Sequence, residues 1–150
     1  MTSDSDAAPP AKGHTCGLLC PVGHVMSPPS FVEPDSSLRK TARTLAEQGP
    51  GSAAILGRQG PTSIVTERDV VTAVATNADP DRTDASDVGS ECLVSVSVDA
   101  PVLEVLREMA ALGIRHMPVL SDGEIVGVVA AEEVLRLVLP NLADEMVGRE

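Results

Sequence analysis

The sequence predicts an α+β fold built from two copies of a strand-helix-strand-strand-helix unit. The first observation is an internal repeat, since Leu45–Val71 aligns with Met109–Leu135 without a gap, at a constant offset of 64 residues. The second is the pattern within each unit, where short segments typical of strands alternate with segments of helical periodicity. One unit of this length would bury little more than half of its surface, so two units sharing a core are expected.

The first unit opens with a short strand and a capped helix. Asp35 or Ser36 is placed to cap the helix, and Gly49 can adopt the left-handed conformation that ends it. Two strands joined as a hairpin and a second helix complete the unit. The predicted bounds are a strand at Phe31-Val32 and helices at Leu38–Gln48 and Glu67–Thr76.

The second unit repeats this order with stronger turn signals. Pro101 suits the first position of a helix, Gly113 suits its end, and Asp122-Gly123 predicts a tight hairpin turn. Pro140 is expected to stop the last helix. The predicted strands are Val94–Val98, Met117–Leu120 and Ile125–Val129, and the helices are Val102–Leu112 and Ala131–Leu139.

The closing helix of each unit is apolar on nearly every side. Arg136 is the one residue that interrupts the apolar stretch of Val134–Leu139, and Val70–Ala75 is similar. Because a surface helix normally has a polar face, each closing helix is expected to pack on its own sheet and on a neighbour. That neighbour is the other repeat, a second copy of the chain, or both, so a homodimer is expected.

Composition and charge exclude several classes of function. Phe31 is the only aromatic residue, so the core must be aliphatic. A formal net charge of −11 disfavours general binding to nucleic acid or to a membrane surface. No stretch resembles a signal peptide or a bilayer span. Cys16, Cys20 and Cys92 are most simply interpreted as reduced thiols, and the expected location is cytoplasmic.

The chain divides into four segments. Residues 1–21 are predicted to be a disordered tail because they are rich in polar and small residues without apolar periodicity. Residues 22–80 form repeat 1, residues 85–140 form repeat 2, and residues 141–150 form an acidic C-terminal tail.

Two motifs resemble those of cystathionine-beta-synthase (CBS) domains. Ser63–Val70 is similar to the family's strand-to-helix signature, and Arg115–Val119 followed by Asp122-Gly123 and Gly127–Val129 is similar to its second-half motif. The resemblance covers nearly everything outside the two tails. It implies a tandem pair, or Bateman module, whose β-α-β-β-α repeats are related by a pseudo-twofold axis with clefts between them.

The resemblance also implies an adenine nucleotide ligand, namely AMP, ADP, ATP or S-adenosylmethionine. Asp69 would accept hydrogen bonds from the ribose hydroxyls, and Thr66 would bond the ribose or phosphate; a carboxylate suits a vicinal diol. The implied adenine slot is formed by Phe31, Val32, Ala54 and Ile55, and the implied phosphate groups are Arg115 and His116, assisted by Arg68.

Each of these residues also has a purely structural interpretation. Thr66 could cap the following helix, and Asp69 would then favour the positive helix N-terminus. Arg68 would be a solvated helix residue, and His116 a satisfied residue beside an apolar strand.

The two repeats differ at the implied binding positions. Repeat 2 has Ala130 where repeat 1 has Thr66, and Glu133 where repeat 1 has Asp69. Repeat 1 in turn has Gly51-Ser52 in place of Arg115-His116. The ribose groups therefore survive in one repeat and the phosphate groups in the other, which predicts at most one competent site per chain.

The remaining signals are weaker. His14, Cys16, Cys20 and His24 are ligand types for zinc, but their spacing fits no known finger, so an incidental cluster is favoured over a metal site. No phosphate loop, dinucleotide fingerprint or nucleophile elbow is present, so an enzyme is not expected. The sequence predicts a regulatory module without a required cofactor, acting through an unidentified effector protein or self-association. The alternative is an interaction dimer of the same fold with ligand-free clefts.

Overall fold

The computed structural model describes residues 17–48, 51–58, 60–90 and 94–147. The predicted α+β class and the twofold repetition of strand-helix-strand-strand-helix are both confirmed. Repeat 1 contains a 3-10 helix at Val22–His24, then β1 (Phe31–Val32), α1 (Leu38–Glu47), β2 (Ser52–Gly57), β3 (Gly60–Thr66) and α2 (Glu67–Ala75). Then follow α3 (Ala85–Val88), β4 (Val96–Ser97), α4 (Val102–Leu112), β5 (His116–Ser121), β6 (Glu124–Ala130) and α5 (Ala131–Val147).

Each repeat forms a three-stranded sheet of the same topology. The strand orders are β1-β2-β3 and β4-β5-β6. The first pair in each sheet is parallel, because a helix connects its strands, and the second pair is antiparallel, because a tight turn connects them. Both hairpins carry a register irregularity at the same place, between Ile55 and Leu56 and between Val119 and Leu120.

The turn signals of repeat 2 correspond to the observed backbone. Asp122 and Gly123 have positive φ values of 50° and 79° and connect β5 to β6, as a two-residue hairpin turn requires. Gly113 ends α4 in the left-handed conformation, with φ of 67°. These two positions are where glycine or a short polar residue is needed for the chain to turn.

Three predicted helix ends differ from the structure. The cap of α1 is Ser37, whose hydroxyl accepts from the N–H of Lys40 at 3.1 Å, not Asp35 or Ser36. Pro101 lies at the N-cap of α4, one residue before the position predicted for it. Pro140 does not stop α5, which continues to Val147. The proline is exposed, so water can reach the carbonyl that its missing N–H leaves open.

The segment that opens each repeat packs on the other repeat. The N–H of Val22 donates to the carbonyl of Ala100 at 2.8 Å, and Ser27 bridges to Val128 on β6. In the equivalent position the segment of α3 lies on repeat 1, where Ser90 bridges to Ile64 on β3. The two repeats are thus interlocked by exchanged segments.

This exchange completes the two hydrophobic cores. Val22 and Val25 are buried in the core of repeat 2, and Ala85 is buried in the core of repeat 1, with Val88 packed against it. Every core side chain is aliphatic or Met, as the composition requires. Neither repeat has a closed core without the other.

An ion pair connects α1 to the segment that leads into α3. Arg39 on α1 donates two hydrogen bonds to Asp81, at 2.6 and 2.9 Å. The hydrogen bond from Arg39 lowers the pKa of Asp81 below its ordinary value. Both side chains are exposed, so salt screens this pair and its contribution to stability is small.

The predicted N-terminal tail is only partly within the described residues. Residues 1–16 lie outside them. In the part that is described, the carbonyls of Leu18 and Cys20 accept hydrogen bonds from the N–H groups of Leu103 and Val102. Residues 17–21 therefore belong to the folded part, because their carbonyls accept hydrogen bonds from N–H groups of the first turn of α4.

We expect Gly89→Ala to destabilise the protein. Its Cβ would overlap the Cδ1 atom of buried Ile55 and lie 3.2 Å from the carbonyl oxygen of Ile64. Such overpacking lowers the free energy of unfolding by about 1–3 kcal/mol. Gly17→Ala is the control, because no atom of the described residues lies within 4 Å of its Cβ. Urea denaturation measures both, and equal stability of the two variants would contradict the packing described.

We expect Thr41→Val to stabilise the protein. Thr41 is fully buried on α1, and its hydroxyl has no hydrogen-bond partner among the described residues. An isosteric methyl group removes that unsatisfied polar atom, which raises the free energy of unfolding by about 1 kcal/mol. Thr44→Val is the control, since its hydroxyl donates to the carbonyl of Lys40 at 3.2 Å. A drop in melting temperature for Thr41→Val would show that the hydroxyl is satisfied.

Candidate functional site

A cleft of about 760 Å³ lies between the two repeats. The first turns of α2 and α5 and the N-terminal ends of β2 and β5 contribute to its walls. Each of the two repeats contributes both apolar and charged side chains to the cleft. Its lining residues used below are Gly51, Ile64, Thr66, Glu67, Arg68, Asp69, Ser90, Val94, Ile114, Arg115, His116, Glu132, Glu133 and Arg136.

Five of the sequence-predicted residues lie in this one cleft. They come from two places, the α2 N-terminus of repeat 1 and the β5 N-terminus of repeat 2. They are Thr66, Arg68, Asp69, Arg115 and His116. The ribose-type groups of one repeat and the phosphate-type groups of the other therefore share a cavity, a point on which the sequence is silent.

Thr66 and Asp69 form a capping box at the start of α2. The carboxylate oxygen Oδ2 of Asp69 accepts from the N–H of Thr66 at 2.8 Å and from its hydroxyl at 3.1 Å. The N–H of Asp69 donates to the Thr66 hydroxyl oxygen at 3.4 Å. Within the described residues, the second oxygen, Oδ1, accepts no hydrogen bond. One oxygen thus holds the helix start, and the other remains available as an acceptor.

The arginines of the cleft are not equivalent. Arg136 pairs with Glu132 one helical turn away, at 2.6 Å. Arg68 and Arg115 are exposed and make no ion pair with any residue that the structure describes. These two guanidinium groups are therefore the cations that an anionic ligand can engage without displacing an internal partner.

The family model described as CBS domain matches residues 22–76 and 85–140. These two matches cover both repeats and together span well over half of the chain. The chain belongs to the CBS domain family.

Relatives and solved structures agree with this assignment. An uncharacterized protein of Methanopyrus kandleri is 32% identical over 107 residues, which are 69% of this chain and 55% of that protein. The structure of a CBS domain protein from Pyrobaculum aerophilum complexed with AMP is similar with a TM-score of 0.70 and 29% identity, over 81% of this chain and 97% of that one.

A second solved structure is the CBS domain pair of protein MJ0100 in complex with 5′-methylthioadenosine and S-adenosyl-L-methionine. It has a TM-score of 0.69 and 25% identity, over 77% of this chain and 97% of that one. The chain thus covers nearly the whole of both CBS pairs, but only about half the length of the Methanopyrus relative.

In CBS repeat 2 the acid equivalent to Asp69 has an internal partner. The hydroxyl of Ser27, on the exchanged segment, donates to Glu133 at 2.7 Å. Ala130 supplies no hydroxyl at the position of Thr66. The two CBS repeats therefore offer different chemistry to the cleft, with the freer carboxylate on the side of repeat 1.

The four residues of the predicted adenine slot lie outside this cleft. They do come together, because β1 pairs with β2 in parallel register, Phe31 with Ala54 and Val32 with Ile55. Val32 and Ile55 are buried in the core of repeat 1, Ala54 is also buried, and Phe31 is 41% exposed.

Sequence reasoning missed the apolar wall of the cleft. Ile64, Val94 and Ile114 line it. Two of the three stand next to recognised groups, since Ile64 is two residues before Thr66 and Ile114 directly precedes Arg115. That proximity is the signal that could have found them.

The cysteine and zinc interpretations change. Cys20 is disulfide-bonded, so the prediction of reduced thiols is wrong for this residue. A disulfide sulfur is also not a thiolate ligand. His14 and Cys16 lie outside the described residues, and His24 is exposed on the 3-10 helix. Among the residues described, no group of three or more His, Cys, Asp or Glu could hold a metal ion.

Within the part of the chain that the structure describes, no helix has the length and apolar character that a bilayer crossing requires.

Proposed function

We propose that this CBS pair is a regulatory module that binds an adenine nucleotide or S-adenosylmethionine in the cleft between its repeats. The observation that carries the proposal is the presence of Thr66 and Asp69 from repeat 1 and Arg115 and His116 from repeat 2 in one cavity. The cavity volume of about 760 Å³ also falls within the range of small-molecule sites.

The cleft offers suitable side chains for the ribose, the phosphate and the adenine of such a ligand. The open oxygen of Asp69 suits a ribose hydroxyl, since hydrogen bonds to a charged acceptor are stronger than neutral ones. Arg68 and Arg115 suit a phosphate group, with His116 beside them at the start of β5. We assign the adenine ring to the apolar wall of Ile64, Val94 and Ile114 and not to the slot on β1 and β2, because Val32 and Ile55 of that slot are buried in the core of repeat 1.

The solved relatives support this class of ligand. The Pyrobaculum aerophilum protein is complexed with AMP, and the MJ0100 pair with 5′-methylthioadenosine and S-adenosyl-L-methionine. All three compounds share an adenine base and a ribose with free 2′- and 3′-hydroxyls, which are the groups that we assign to the apolar wall and to Asp69.

Ligand binding can be transmitted through α2 and α5. Both helices start at the cleft and present apolar side chains to solvent further along. A ligand that contacts both N-terminal turns would favour one relative arrangement of the two helices over another, provided that it binds the two arrangements with different affinity. The output then passes to a second copy of the chain or to an effector protein.

We expect Asp69→Asn to weaken AMP binding by about tenfold to a hundredfold, because it removes the charge from the proposed ribose acceptor. Asparagine keeps an oxygen that can accept from the N–H of Thr66, so the helix start is preserved. Asp87→Asn is the matched control, since Asp87 has the same capping-box role on α3 and lies outside the cleft. Isothermal titration calorimetry measures both variants, with GMP as the control nucleotide.

Equal AMP affinity of the Asp69 variant and the parent would overturn the ribose assignment. If none of the adenine compounds raises the melting temperature of the parent protein, the alternative is favoured, namely a ligand-free interaction module. A ligand at 100 times its dissociation constant adds about 2.7 kcal/mol, which raises the melting temperature by roughly 5–10 °C.

We also propose that the chain forms a homodimer through α2 and α5. Val74 on α2 is 57% exposed, and Leu139 on α5 is 53% exposed. Val74→Glu should shift the protein toward a monomer in light scattering coupled to size exclusion, since it places a charge in an apolar contact. Leu19→Glu is the control, because Leu19 is exposed but lies on neither helix. A monomeric parent would exclude this dimer.

A further inference from the structure

The opening segments of the two repeats place one serine each at equivalent positions. The N–H of Ser27 donates to the carbonyl of Val128 on β6 at 2.8 Å, and the N–H of Ser90 donates to the carbonyl of Ile64 on β3 at 2.9 Å. Ile64 and Val128 are related by the 64-residue offset of the repeat. Ser27 and Ser90 are therefore structural equivalents, each lying beside the strand that leads into the closing helix of the opposite repeat.

The closing helices also start in the same way. In repeat 1 the N–H of Glu67 donates to the carbonyl of Gly51 at 3.0 Å. In repeat 2 the N–H of Ala131 donates to the carbonyl of Arg115 at 2.9 Å. Because the same backbone hydrogen bond fixes the first residue of α2 and of α5, the third residues of the two helices can be compared directly.

Each of these third residues is an acid that belongs with one of the two serines. In repeat 2 the pair is closed, because the hydroxyl of Ser27 donates to the carboxylate of Glu133 at 2.7 Å. In repeat 1 the equivalent pair is Ser90 and Asp69, and both residues line the cleft. Among the described residues, neither the Ser90 hydroxyl nor Oδ1 of Asp69 has a hydrogen-bond partner. The pair of repeat 1 is therefore open.

Two differences explain why only one pair is closed. The side chain of Asp69 is one methylene group shorter than that of Glu133. Its Oδ2 atom is also held at the start of α2 by the N–H and the hydroxyl of Thr66, whereas Ala130 has no hydroxyl with which to hold Glu133. The acid of repeat 1 is thus both shorter and drawn toward its own helix, which leaves Ser90 without it.

We propose that Ser90 is a ligand-binding residue, and that a ribose hydroxyl of the ligand joins it to Asp69. This inference rests on the proposed function and adds a residue to its site. The ribose hydroxyl donates to Oδ1 of Asp69, as the hydroxyl of Ser27 donates to Glu133, and it accepts from the hydroxyl of Ser90. Ser90 is exposed in the cleft, so a ligand can reach it.

The first test is Ser90→Ala, titrated calorimetrically with AMP, 2′-deoxy-AMP and 3′-deoxy-AMP. The variant should bind AMP about threefold to tenfold more weakly than the parent, because one hydrogen bond is lost. For the deoxy compound that lacks the bridging hydroxyl, the parent and the variant should have equal affinity, since that bond is already absent. Ser86→Ala is the matched control, an exposed serine on α3 that does not line the cleft.

Unchanged AMP affinity of the Ser90 variant would overturn the inference. An equal loss of affinity for all three nucleotides would overturn it as well, because Ser90 would then contact neither ribose hydroxyl.

The second test is Asp69→Glu, which gives repeat 1 the longer acid of repeat 2. Glutamate is also a good capping-box residue at this position, so the helix start is preserved. We expect the longer carboxylate to bond to Ser90 directly and AMP binding to weaken about tenfold or more. Adding Ser90→Ala removes that internal partner and should restore part of the affinity. Asp87→Glu is the control, in the capping box of α3 and outside the cleft.

AMP binding by Asp69→Glu at the affinity of the parent would contradict the closure. A double variant that binds AMP no more tightly than Asp69→Glu alone would contradict the role of Ser90. Melting temperatures of all variants show that they are folded.

This inference and the proposed function fail differently. If no adenine compound binds the parent, both fall together. If AMP binds and Asp69→Asn weakens it, but Ser90→Ala does not, only the role of Ser90 is wrong.

Discussion

The exchange of segments between the repeats is the constraint on which the rest of the structure depends. Each sheet has one face that must be buried, and in each case the burial is completed by residues from the opening segment of the other repeat. Val22 and Val25 close the core of repeat 2, and Ala85 closes that of repeat 1. Because the backbone of these segments also bonds to β6 and β3, the two sheets are fixed relative to one another, and the cleft between them is a consequence of that fixed geometry.

Small differences between the repeats make the two sides of the cleft chemically different. Two identical repeats would produce a symmetric cavity with duplicate groups on both sides. Here the acid of repeat 1 keeps one carboxylate oxygen open among the described residues, whereas the acid of repeat 2 bonds to Ser27. Likewise, repeat 2 has Arg115 where repeat 1 has Gly51. The local motif at the helix start is conserved in geometry, and its chemistry is divided between the repeats.

Sequence reasoning captured what local interactions determine. The repeat, the order of elements, the Asp122-Gly123 turn and the end of α4 at Gly113 all follow from short-range preferences of the backbone. The cap at Ser37 could not be predicted from the sequence, because several neighbouring residues are equally able to cap α1. The continuation of α5 through Pro140 could not be predicted either, because the energetic cost of a proline in a helix depends on its exposure to solvent.

The site shows the same division. Thr66, Asp69, Arg115 and His116 could be named from their motifs, but their presence in one cleft depends on the exchange, which no local pattern reports. The apolar residues that line this cleft were missed for the same reason. A strand such as β1 looks equally suited to a ligand and to a core, and only the packing of α1 and α3 on the sheet shows that Val32 faces the core.

The exchange also sets the order in which the chain can fold during synthesis. The segment around Ser27 finds its partners, Val128 and Glu133, only after about a hundred further residues have been made. Until then Val22 and Val25 have no core to enter, and repeat 1 itself waits for Ala85. Contacts so distant in sequence slow folding and leave apolar surface open to association in the meantime. The first part of the described chain to leave the ribosome is therefore among the last to reach its native place.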